Sequence, residues 1–180
     1  MELNLNGVPD KIRSADFNAD GMPDLLITTS NGYYIYWNRN GSFSDSDRYP
    51  SSAPNTAFKK CDIIELGDFD GDGLVDLLLN KHDSKYWYIA RNTGNDTNGY
   101  FDLNMIYALY VRNVHVIEDK EDKTYCLVQD IDGDGKSETI VGYPNNNDEG
   151  GNICILKSNG NALTLSSHHQ LPNSGEFPNH

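Results

Sequence analysis

The chain has 180 residues, enough for one domain with a sizeable core and short for two. Lysine and arginine number 14 against 27 aspartates and glutamates, and the resulting formal charge of −13 excludes nucleic acid as a partner because its phosphates would be repelled. Cys61, Cys126 and Cys154 have no CxxC spacing and are odd in number, which excludes a zinc site or a disulfide framework, and no run approaches the roughly 18 apolar residues of a membrane span.

In chain order, the first segment with a pattern is Asp16-Phe-Asn-Ala-Asp-Gly-Met-Pro-Asp24. A short apolar run, Leu25-Leu-Ile-Thr-Thr29, follows it, and then Tyr33-Tyr-Ile-Tyr-Trp37. Both runs have strand length and are bounded by turn residues. Asn40-Gly-Ser-Phe43 reads as a hairpin turn leading into a further strand, since Asn-Gly tolerates positive φ. Residues 42–54, rich in Ser, Asp and Pro, read as an exposed loop.

The same order then recurs twice. Asp62-Ile-Ile-Glu-Leu66 precedes Asp68-Phe-Asp-Gly-Asp-Gly-Leu-Val-Asp76, which runs into Leu77-Leu-Leu79, Tyr86-Trp-Tyr-Ile89 and Asn98-Gly-Tyr-Phe101. Met105–Val111 is β-rich enough to be another strand. The third copy consists of Tyr125-Cys-Leu-Val128, Asp130-Ile-Asp-Gly-Asp-Gly-Lys-Ser-Glu138, Thr139-Ile-Val141, Ile153-Cys-Ile-Leu156 and Asn159-Gly-Asn-Ala-Leu163. Residues 144–151 read as a loop and 171–180 as a flexible tail.

A motif repeated in register defines the architecture more firmly than any single run. Each copy reads as strand, acidic loop, strand, turn, strand, Asn-Gly turn, strand. The expected fold is all-β: three four-stranded antiparallel blades of propeller type, over residues 10–54, 60–111 and 123–170 of a single repeat domain. Closed propellers have four to eight blades, so three make a partial or open propeller. It is either part of a longer protein or an open arc whose edges meet the tails or another chain.

Much of the acidic charge lies in the three loops, where like charges destabilise one another unless a cation neutralises them. Alternating carboxylates on a tightly turned backbone supply the hard oxygens that calcium requires, and Gly73, eased by Gly71, lets both halves of the second loop face one ion. A helix-loop-helix calcium site is excluded because it needs a bidentate acid at loop position 12, where Ile27, Leu79 and Val141 stand. The alternative is an ion-free turn, with the aspartates bonded to their own backbone.

The three loops, each with Phe17, Phe69 or Ile131 after its first acid and a strand after its last, resemble FG-GAP repeats, the calcium-binding blades of integrin-type propellers. Similar repeats occur in exported bacterial adhesins and in Rhs-like and toxin-complex proteins. The resemblance implies up to three Ca2+ ions. Their ligands would be Asp16, Asn18, Asp20 and Asp24; Asp68, Asp70, Asp72 and Asp76; and Asp130, Asp132, Asp134 and Glu138, with the carbonyls of Met22, Leu74 and Lys136. Asn18 in place of a carboxylate and Ala19 in place of a glycine imply a weaker first site, and Glu138 is one methylene longer than its counterparts.

The functional expectation is a non-catalytic, calcium-stabilised module of an exported or surface protein, acting in protein interaction or as a scaffold and able to self-associate through open blade edges. Flexible calcium sites suit the high extracellular level of the ion. Residues 1–6 lack the basic and apolar regions of an export signal. One alternative is a carbohydrate-binding module that stacks sugars on Tyr33, Tyr34, Tyr36, Trp37, Tyr86, Trp87 and Tyr88. Another is a non-catalytic part of a polysaccharide lyase or toxin assembly; Arg39 and Arg91, at matching repeat positions, are its basic candidates. His168-His169 reads as a solvated pair, and no GxSxG, HExxH or P-loop pattern is present.

Overall fold

A computed structural model describes residues 3–51, 53–56, 61–81, 86–95, 100–102, 106–110, 125–144 and 151–171. The Asn98-Gly99 turn, most of the 144–151 loop and residues 172–180 of the expected tail lie outside the described residues. Among the described residues there are twelve strands and no helix, hence none long and apolar enough to cross a membrane.

The strands form three four-stranded antiparallel sheets. The first contains β1 (Pro9–Ala15), β2 (Asp24–Thr29), β3 (Gly32–Tyr36) and β4 (Arg48–Tyr49), in chain order across the sheet. The second contains β5 (Cys61–Gly67), β6 (Asp76–Lys81), β7 (Tyr86–Ala90) and β8 (Ile106–Tyr110). The third contains β9 (Tyr125–Gln129), β10 (Glu138–Pro144), β11 (Gly151–Ser158) and β12 (Leu163–Leu171). Each sheet is a meander whose first hairpin is closed by an acidic loop.

Two elements of the first sheet had no local signal of their own, the opening strand being expected only from its place in the repeat. Its opening strand, Pro9-Asp-Lys-Ile-Arg-Ser-Ala15, has only one strongly apolar side chain, Ile12, and that side chain is exposed. A solvated edge strand needs no apolar alternation, so its composition gave no signal. The fourth strand falls within residues 42–54, the segment read as an exposed loop. Asn40 and Gly41 do turn the chain, closing an Arg39–Ser42 bridge, but pairing with β3 resumes only at Arg48 and Tyr49. Pro50 follows at once and has no N–H for a ladder, which accounts for the shortness of β4.

The sheets stack through their faces. Leu26, Tyr33 and Ile35 of the first share a core with Leu77, Leu79, Ala90 and Phe101 of the second. Leu78, Trp87 and Ile89, on the opposite face of the second, pack with Val141, Leu156 and Leu163 of the third. This follows from the two-residue period of a strand: Leu77 and Leu79 point one way and Leu78 the other, so a run of leucines serves two interfaces. The second and third sheets also meet at Gly67, where an added Cβ would lie 2.4 Å from Val128 Cγ1. Only a residue without that carbon permits so close an approach.

Candidate metal centre

The second and third acidic loops have nearly superimposable internal bonding. Asp68 accepts from Gly71 N at 2.7 Å and Gly73 N at 2.8 Å, one bond to each carboxylate oxygen. Asp130 accepts in the same way from Gly133 N at 2.7 Å and Gly135 N at 3.0 Å. Asp72 and Asp134 accept from Leu74 N and Lys136 N, both at 2.8 Å. The loops therefore turn on their own aspartates, and the left-handed conformation at Gly71, φ +82°, is part of that turn.

The acid at the ninth position closes each loop from beneath. The two carboxylate oxygens of Asp76 accept from Phe69 N at 2.9 Å and Asn92 N at 2.8 Å, and those of Asp24 from Phe17 N at 3.1 Å and Asn38 N at 2.8 Å. Both aspartates are fully buried. Burial is the main force pushing the Asp76 carboxyl up to about 7, against its two backbone hydrogen bonds and with help from Asp70 and Asp72. Asp24 is shifted the same way, again chiefly by burial. Glu138 differs: its Oε2 accepts from Ile131 N at 3.1 Å, while its buried Oε1 has no hydrogen-bond partner. The extra methylene moves one oxygen off the backbone, so Glu138 keeps an oxygen with no hydrogen bond where each oxygen of Asp76 already accepts one.

Of the expected ligands, the structure brings together Asp68, Asp70 and Asp76, with one carboxylate oxygen from each within 4.8 Å of the others, and likewise Asp130, Asp132 and Glu138. Asp72 and Asp134 stand outside these triads and hold the amides of Leu74 and Lys136, whose carbonyls were the expected position-7 donors. In the first loop Asp16, Asp20 and Asp24 do not converge in this way. Asn18 instead donates from Nδ2 to Asp20 Oδ2 at 3.1 Å, and Asp20 accepts from the amide of half-buried Met22 at 2.9 Å. Ala19 takes φ +57° where the other loops have glycine.

Basic side chains attend the two triads, a feature the sequence reading missed. Arg91 Nη1 lies 3.4 Å from Asp70 Oδ2, and its Nη2 donates to Asn161 Oδ1 of the third sheet at 2.8 Å. Lys157 pairs with Asp132, holding that carboxyl below the usual range. Arg39 turns instead to Asp47. Arg91 and Lys157 hold the same place in their copies, two residues after Ile89 and Ile155, whereas the first copy has Trp37 there and Arg39, expected at a matching position, lies two residues further on.

The second triad sits at a junction between sheets. Asp68 O accepts from Ser137 N at 2.6 Å, and Ser158 Oγ donates to Phe69 O. A charge placed on this loop therefore acts on the contact between the second and third sheets. Of the expected stacking rings, Tyr33, Tyr34, Tyr36 and Trp87 are buried and Trp37 and Tyr88 half-buried, while the side chain of Tyr86 lies outside the described residues; among the described rings of this set there is no open row. His168 Nε2 lies 2.9 Å from Asn152 Oδ1, away from both triads.

Residues 16–79 match the family model for an FG-GAP-like repeat, spanning the first two acidic loops and the strands between them. No curated protein matches the chain.

Proposed function

With residues 16–79 carrying an FG-GAP-like repeat, we propose that the protein is a non-catalytic interaction module whose second and third blades are pinned by calcium, working in the extracellular or cell-surface environment. The observation that carries the reading is the pair of carboxylate triads, Asp68–Asp70–Asp76 and Asp130–Asp132–Glu138, held on loops already turned by their own hydrogen bonds. The donor set fits the ion: hard oxygens from short acids, and in the third loop a buried carboxylate oxygen without a partner. Calcium bound there supplies the positive charge that offsets the mutual repulsion of the acids. Asp68 ties the second loop to Ser137, so neutralising that loop stabilises the contact between blades as well as the turn.

The first loop lacks the convergence and has an amide where the others have an acid, which supports two ions rather than three. Loops of this openness suit the millimolar calcium outside cells. The carbohydrate reading has less support, since four of its proposed stacking rings are buried.

Calorimetric titration of the chelator-treated chain with calcium, beside thermal melts with and without the ion, tests the proposal. Two ions bound and a higher melting temperature are expected, with Asp130→Asn reducing the stoichiometry to one. No heat and no change in melting would show the loops to be ion-free turns.

A further inference from the structure

Among the described residues the blade-to-blade contact occurs twice, and each half of it has one further copy that meets no described blade. In the first copy, Phe17 is fully buried and packs edge-to-face on Phe101 of the second blade, with ring centroids 6.0 Å apart. Its carbonyl accepts from Asn92 Nδ2 at 2.8 Å. In the second copy, Phe69 is fully buried against Leu163 of the third blade, and its carbonyl accepts from Ser158 Oγ. The equivalent residue of the third loop is Ile131, and it is 45% exposed.

The cross-strand rows repeat in the same way. Leu26 pairs with Ile35 and faces the second blade, and Leu78 pairs with Ile89 and faces the third. The matching row is Leu127, Ile140 and Ile155, in which Leu127 is 55% exposed; Tyr125, two residues along, is 68% exposed. Among the described residues no sheet stands beyond this face. An apolar face of this kind, continuous with two formed interfaces, is the usual mark of an interaction site.

Blade 1 carries the receiving half. Phe43 occupies the place that Phe101 and Leu163 hold in their blades, on a face formed by Ile27, Tyr34 and Tyr36. Asn38 matches Asn92, since each gives its backbone N–H to the buried acid of its own loop. Asn92 Nδ2 is shared between Val75 O of its own blade and Phe17 O of the preceding one. Asn38 Nδ2 donates to Pro23 O at 2.8 Å, leaving an N–H placed as the one Asn92 uses across its interface. A short strap covers this face: Leu3 and Leu5 pack on it, and Asn4 is held by Asp45 and by Arg48 Nη1 at 2.6 Å.

We infer that the open face of blade 3 docks blade 1 of a second copy of this chain once the strap lifts. Ile131 would then enter beside the partner's Phe43, and its carbonyl would meet the partner's Asn38. Two three-blade arcs joined head to tail close a six-bladed ring, inside the range of closed propellers, and a twofold axis ends the assembly at two copies. The strap is the competitor that keeps the single chain apart. This inference rests on apolar packing and does not require the loops to hold calcium.

The test is sedimentation of the full chain and of Leu3→Ser/Leu5→Ser over a range of concentrations, each in calcium and in chelator, with circular dichroism to verify folding. The expected result is a monomer for the full chain and a doubled mass for the strap variant. Leu127→Asp, at an exposed position, or Phe43→Asp should abolish that dimer when placed in both copies. A mixture of one strap variant carrying Leu127→Asp with another carrying Phe43→Asp should recover association, because one intact junction remains. A folded strap variant that stays monomeric at every concentration would overturn the inference. A dimer sensitive to Leu127→Asp and indifferent to Phe43→Asp would overturn it too, since that pattern means two blade-3 faces meeting each other. Loss of calcium binding with the dimer retained would count only against the metal reading.

Discussion

The side-chain amide of Asn92, in the second blade, donates to the main-chain carbonyl of Phe17, in the first, at 2.8 Å in a fully buried setting. The same side chain accepts from Gly94 N at 2.9 Å and donates to Val75 O at 3.2 Å, so one residue closes a turn, ties it to the acidic loop and joins two blades. Asn92→Ala removes all three bonds and strands the Phe17 carbonyl. A loss of about 1–3 kcal/mol is expected for each buried partner left unsatisfied, measured as a lower urea midpoint. Asn92→Leu, similar in volume, should cost as much, which would separate polar loss from packing loss.

Ala19 stands at φ +57°, a conformation in which a Cβ is crowded and which Gly71 and Gly133 fill in the other loops. Ala19→Gly relieves the crowding but gives the unfolded chain more freedom. The net expectation is a gain of a few tenths to about 1 kcal/mol, read from chemical denaturation. No change would mean that the relief only matches the entropy cost, and a loss of stability would mean that the first loop carries no strain at that residue.

Asp76 gives the metal-free protein an unusual pH response. Its folded carboxyl ionises near 7, while an unfolded one ionises near about 4, so the folded state holds the extra proton between those values. Stability from this group is therefore present at low pH and lost as pH rises through 7. Chelator-treated protein should show a negative slope of stability against pH from 5 to 7.5, and Asp76→Asn should flatten it. With calcium present the slope should weaken or reverse, because the ion displaces the proton.

Lys157 places an ammonium on Asp132, where a metal ion would also bind. Lys157→Met removes that competitor. Calorimetry should show tighter calcium binding at one site, with the other, attended by Arg91, unchanged. Equal tightening at both sites would mean a general effect of net charge, and the specific contact would then have no role.

Much of this architecture was legible along the chain because the repeat is short-range. A nine-residue acidic motif followed by runs of strand length identifies hairpins, and the apolar residue at position 12 excludes a helical calcium loop without any tertiary information. The β1 edge was legible only from its place in the repeat, since a solvated strand needs no apolar pattern, and β4 was not placed because only two residues of it pair. Convergence of the acids was legible only in part. Asp72 looks equivalent to Asp70 in spacing, yet its carboxylate is committed to the amide of Leu74.

The sequence by itself determined the repeated acidic turns, the hairpins that follow them and the amide that stands for an acid in the first loop, because these depend on neighbours a few residues apart. Only the tertiary structure decided which acids meet, which aromatics are buried and which faces remain open. Those outcomes depend on contacts between blades: Phe17 and Phe69 are buried because a further blade stands against each, and Ile131, in the same motif, is exposed because no described blade stands against it.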